Sequence, residues 1–88
     1  MPSPGFADLV RLRHLAAIDR AIQAGRPTAA GLAAQLSVNI RTVQRYVEWL
    51  KRELHAPIVF DFDPRAPGYR YTARFSFGKQ LLAWIEAP

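Results

Sequence analysis

Residues Thr28 to Val47 read TAAGLAAQLSVNIRTVQRYV, and the fold turns on this stretch. Thr28 is a good N-cap for a short helix, Ala29 to Leu36, because its hydroxyl accepts from an amide left unpaired at the helix start. That helix is rich in alanine, so a second helix can approach it closely. Ser37-Val38-Asn39 interrupts the pattern, and Asn39 caps a further helix running from Ile40 to about Leu54. Within it Val43, Val47, Leu50 and Leu54 follow steps of four, three and four, which line up as one buried stripe. Two helices packed across so tight a turn need apolar residues at fixed places, which Leu32, Leu36, Val38 and Val43 supply. They also need a small residue where they touch, and Ala33 fits. Ser37 stands where such turns usually carry glycine, a departure expected to add strain or to shift the turn.

With that stripe turned inward, Ile40, Arg41, Gln44 and Arg45 point outward. A guanidinium can grip the O6 and N7 edge of guanine, and a side-chain amide the N6 and N7 edge of adenine. Asn39, Thr42 and the helix start favour phosphate, and Thr28, at the other helix start, is counted with them. The plainer readings stay open at this point. Arg41 and Arg45 also suit the solvated face of an amphipathic helix, and Gln44 also suits a neutral surface amide.

Upstream, Leu9, Leu12, Leu15, Ile18 and Ile22 recur at three- and four-residue steps and predict a helix from Phe6 to Ala24, stopped by Gly25. Downstream of Pro57 the period falls to two. Ile58, Phe60 and Phe62 alternate with Val59 and Asp61, as in a strand with one buried face. The turn-forming run Asp63-Pro64-Arg65-Ala66-Pro67-Gly68 leads into a second strand, Tyr69 to Thr72, and the two are expected to pair as a hairpin. Arg65 and Arg70 are candidate contacts to phosphate or minor groove, or simply strand arginines facing solvent. Tyr69 and Tyr71 are expected to pack the hairpin rather than to stack on bases. A last helix, Lys79 to Glu86, presents Leu81, Leu82, Trp84 and Ile85 as a candidate homodimer surface. The same four residues would equally serve if this helix folds back on the first to complete the core.

The 88 residues make room for one domain, and half of them are apolar, as in a globular chain. The apolar runs are far shorter than the roughly 20 residues needed to span a bilayer, so no membrane association is expected. Met1 to Gly5 reads as a short flexible leader rather than a signal peptide. With no cysteine, disulfides and thiolate metal sites are excluded, which fits a reducing cytoplasm. Asp61 and Asp63 resemble a paired-carboxylate metal motif, but beside Pro64 a turn-forming role is expected. His14 and His55 lack zinc-ligand spacing. No nucleophile-base pairing and no glycine-rich phosphate loop is present, so neither catalysis nor a cofactor is expected. The net charge of +5 favours a polyanionic partner, provided the charges gather on one face.

Leu32 to Arg45, LAAQLSVNIRTVQR, resembles the "LAxxLxVSxRTVxR" signature of winged helix-turn-helix regulators. The nearest likeness is to the amino-terminal domains of WYL-domain transcription factors, which are DeoR-like. Ala56-Pro57-Ile58-Val59-Phe60-Asp61 and Gly68-Tyr69-Arg70-Tyr71 are similar to that family's wing, and the likeness covers about Leu9 to Thr72. Asn39 replaces the usual serine cap and preserves capping. Tyr46 stands where the family often has aspartate, so an intramolecular salt bridge is expected to be missing. WYL proteins continue into a ligand-sensing domain, so the chain is expected to be an excised domain or a small stand-alone protein.

Residues and resemblance together predict an α+β winged helix-turn-helix: a leader over 1–5, the domain over 6–74 and a helical extension over 75–88. The resemblance implies a cytoplasmic, nucleoid-associated transcriptional regulator that binds double-stranded DNA. Its recognition helix, about 39–54, would lie in the major groove and its wing, 58–72, on the flanking backbone. The alternative is a winged-helix module used only for protein–protein contact.

Overall fold

The computed structural model describes residues 6–87, with side chains from residue 8 onward. The leader expected over residues 1–5 therefore lies outside the described residues. The fold is α+β, with helices α1 (Phe6–Ala24), α2 (Ala29–Leu36) and α3 (Ile40–Glu53), strands β1 (Ile58–Asp61) and β2 (Gly68–Tyr71), and helix α4 (Phe77–Glu86).

Local signals account for most of the boundaries. The Thr28 hydroxyl accepts from the Gly31 amide at 3.0 Å and starts α2. Asn39 Oδ1 accepts from the Thr42 amide at 2.8 Å and starts α3. Between them Ser37 is left-handed, at φ 56° and ψ 43°. Its amide donates to the Ala34 carbonyl and that of Val38 to the Ala33 carbonyl, so the last carbonyls of α2 are satisfied. Serine here adopts the left-handed conformation that glycine usually supplies, and carries the strain of it. His55 repeats the device after α3 at φ 55°, with the Ala56 amide reaching back to the Leu50 carbonyl.

The core lies where the three helices meet the hairpin. Val43, Val47, Leu50 and Leu54 are all buried, so the helix phase read from their spacing holds. Ile18, Leu32 and Ile58 meet them from α1, α2 and β1. The stripe expected along α1 is buried only in its second half: Leu15, Ile18 and Ile22 are covered, but Leu9 and Leu12 are 48% and 37% exposed. Length explains the difference. A 19-residue helix is about 28 Å long and the 8-residue α2 about 12 Å, so one end of α1 outruns what covers it.

The strands pair antiparallel with Ile58 opposite Tyr71, Val59 opposite Arg70, Phe60 opposite Tyr69 and Asp61 opposite Gly68. Phe62, expected on the buried face, is instead 83% exposed. The strand ends before it, because Asp61 Oδ1 accepts the Asp63 amide and curls the chain away. The Phe62 ring leans on that of Phe60, with centroids 4.8 Å apart. Asp63 Oδ1 in turn accepts the Arg65 amide, so both aspartates form turns as expected. Tyr69 and Tyr71 are half-buried packing residues. The Tyr71 hydroxyl donates to Asp19 Oδ1 at 2.6 Å and ties β2 to α1.

Helix α4 begins two residues earlier than Lys79, the position expected from sequence, because Ser76 caps it by accepting the Lys79 amide. Phe77 and Leu81 pack against the core from its inner side. Trp84 meets Trp49 of α3 edge to face at 5.1 Å, so its contact is with the third helix. Leu82 and Ile85 remain 56% and 43% exposed. Among the described residues no helix is long and apolar enough to cross a membrane.

Candidate nucleic-acid interface

Because the stripe of α3 faces the core, the opposite face is left to solvent. Ile40 is 46% exposed there, and Arg41, Gln44 and Arg45 are exposed beside it. Positions 41, 45, 48 and 52 are spaced to share one face of a helix. Arg41, Gln44, Arg45, Glu48, Trp49 and Arg52 line one shallow surface hollow. Arg52 was not singled out from the sequence, although the same spacing that exposes Arg45 exposes it too.

The charges on this face are unevenly engaged. Among the described residues, neither Arg41 nor Arg45 has an acidic side chain within ion-pair distance. Glu48, the acid between them and Arg52, lies 3.8 Å from Lys51. Arg52 touches Glu53 at 3.4 Å. Tyr46 reaches α1: its hydroxyl lies 3.0 Å from Nδ1 of His14, with the rings edge to face. That contact ties α3 to α1.

At the start of α3, Asn39 Oδ1 takes both the Thr42 amide and the Thr42 hydroxyl, the latter at 3.1 Å. These two residues are thereby fixed as a capping unit. The Asn39 side-chain NH2 has no partner among the described residues, and it sits where the helix dipole is positive. Thr28 plays the matching part on α2, its hydroxyl oxygen accepting from the Gly31 amide.

The hairpin arginines differ from each other. Arg65 lies in the exposed tip, and among the described residues its side chain has no ion-pair partner. Arg70 is committed internally, with Nε 3.3 Å from Asp61 Oδ2. The same oxygen holds Nη1 of Arg26 at 3.0 Å. The Asp63 amide is the main reason that the Asp61 carboxyl lies below its ordinary pKa; burial opposes it, and the Arg26 and Arg70 guanidiniums add to the lowering. Arg26 carried no signal in the sequence, since 35 residues separate it from Asp61. Among the described residues no group of three His, Asp or Glu side chains is placed to hold a metal ion.

Comparison with protein-family models, characterised proteins and solved structures yields no match for this chain.

Proposed function

We propose that the chain is a winged helix-turn-helix domain, of the kind found in WYL-domain regulators, that binds double-stranded DNA sequence-specifically in transcriptional regulation. The observation that carries this reading is the outward face of α3. It presents two guanidiniums without an ion-pair partner among the described residues, and an amide, on a helix whose Val43, Val47 and Leu50 are buried on the opposite face. Helix α3 enters the major groove, with Arg41 and Gln44 against base edges and Arg45 against phosphate. Thr28, Asn39 and Thr42, at two helix starts, meet the backbone. Arg65, at the hairpin tip, reaches the flanking groove. The reading carries with it a cytoplasmic, nucleoid-associated location.

A homodimer would match a two-fold operator, with half-sites about one helical turn apart. Leu81 packs against the core, so that contact rests on Leu82, Ile85 and the part of Trp84 that Trp49 leaves exposed. Selection of bound duplexes from a random library, followed by titration over a salt series, tests the proposal. A preferred sequence with a steep salt dependence is expected, and a palindrome if the dimer forms. Absence of any duplex binding at low salt would leave the protein–protein module in its place.

A further inference from the structure

We propose that Asp61 is a charge clamp that withholds Arg26 and Arg70 from nucleic acid and so limits binding to unselected sequence. The proposal rests on the duplex-binding reading and adds to it a residue that works against affinity.

Three observations carry it. First, one carboxylate oxygen takes both guanidiniums, at 3.0 Å and 3.3 Å, and Asp61 is the acid more shielded from solvent than either arginine. Held on that oxygen, neither guanidinium is free to pair with a phosphate. Second, the hairpin has anchors besides this cluster, in which Arg26 also reaches the Ala66 carbonyl at 3.5 Å. The Tyr69 amide donates to the Pro27 carbonyl and the Thr72 amide to the Pro57 carbonyl, each at 2.8 Å. The Tyr71 hydroxyl is bound to Asp19, and Gly68 lies so close to Arg26 that a Cβ would overlap the Arg26 carbonyl. Third, the pairing is selective. Arg41, Arg45 and Arg65 have no such acid among the described residues, whereas Arg26 and Arg70 share one.

Non-specific affinity grows with the number of phosphates that free cations neutralise, and each contributes about 0.9 to the slope of log affinity against log salt. Arg26 adjoins the capping Thr28 of α2, and Arg70 lies in the second strand of the hairpin. Both thus stand beside the elements proposed to meet the backbone. Freed, they would strengthen binding to every duplex alike. Paired, they leave discrimination to α3.

The test is fluorescence anisotropy of the full chain with a random-sequence duplex and with a selected one, across a salt series. The D61N side chain keeps an oxygen for the Asp63 amide but loses its charge. It is expected to steepen the random-duplex slope by roughly 1 to 2 and to narrow the ratio between selected and random affinities. Arg70→Gln or Arg26→Gln alone should leave the slope unchanged. In the D61N background Arg70→Gln should flatten it by about 1. An unchanged slope in D61N overturns the proposal, as does a flattening by either arginine change alone, which does not require D61N to fold. If the intact protein binds no duplex, the functional reading fails separately. Elution from a heparin column then decides the clamp: later elution of D61N supports it, and identical elution overturns it.

Discussion

Arg41 and Gln44 differ from Arg45 in what their loss should do. Arg41→Ala or Gln44→Ala is expected to change which base pair is preferred at one position, at a cost of about 1–3 kcal/mol there. Arg45→Ala should weaken all duplexes alike and flatten the salt slope by about 1. Titrating a panel of single-base operator variants against each mutant separates the two behaviours. A second residue-scale expectation concerns Tyr71, whose phenol burial pushes well above its ordinary pKa, helped by the hydrogen bond to Asp19. The folded value exceeds the unfolded one, so this stabilisation is complete below about pH 10 and is lost as pH rises toward the folded value. Tyr71→Phe should cost about 1–3 kcal/mol near neutral pH, because it leaves the Asp19 carboxylate short of a partner. It should also lessen the fall in stability above about pH 10, read from denaturant midpoints at neutral and alkaline pH. The exposure of Arg41, Gln44 and Arg45 was legible from the period of their apolar neighbours. The Tyr71–Asp19 bond was not, because no local pattern links residues 52 positions apart.

At the scale of elements, the turn between α2 and α3 is the clearest place to intervene. Ser37 pays for a left-handed backbone that glycine adopts freely, so Ser37→Gly is expected to stabilise by roughly 0.5–1 kcal/mol. Thermal melting checks this; a loss of stability would mean that the serine hydroxyl outweighs the backbone strain. Val43, wholly buried between α2 and α3, gives the opposite test. Val43→Asp places an unpaired charge in the core at a cost on the order of 4–5 kcal/mol. That is close to the whole stability of a domain this small. Loss of helical circular dichroism is expected, and a native spectrum with an unchanged melt would put the phase of α3 in error. The element boundaries that sequence placed well are those with a cap or a glycine beside them: α1 at Gly25, α2 at Thr28 and α3 at Asn39. Those it missed were set by side chains reaching along the chain, as when Ser76 extends α4 or Asp61 ends β1 ahead of Phe62.

On the scale of the whole molecule, the proposed dimer rests on the outer face of α4, where Leu82, Trp84 and Ile85 are exposed. Leu82→Lys together with Ile85→Lys should leave the melting temperature nearly unchanged, since neither side chain is buried. If α4 forms the dimer, the double variant sediments as a monomer. It then loses far more affinity for a palindrome than for a half-site, because the second reader no longer benefits from a high effective concentration. Trp84→Ala, by contrast, should lower stability through its lost packing on Trp49. A monomeric intact chain at tens of micromolar would exclude the dimer.

By itself the sequence determined the order of helices and strands, the buried face of α3 and hence its exposed one, and the capping residues at both starts. These are properties of neighbours a few positions apart, where a period of 3.6 or 2 and a single side chain's reach suffice. Only the tertiary structure decided which cations are spoken for. Arg26, Arg65 and Arg70 are alike as letters, yet Asp61 takes the first and last and leaves Arg65 alone. It also decided that Leu9, Leu12 and Phe62 stay exposed and that Trp84 turns toward α3. Ion pairing and burial depend on which distant segments arrive within a few ångströms of one another, and that depends on helix lengths and packing across the whole chain.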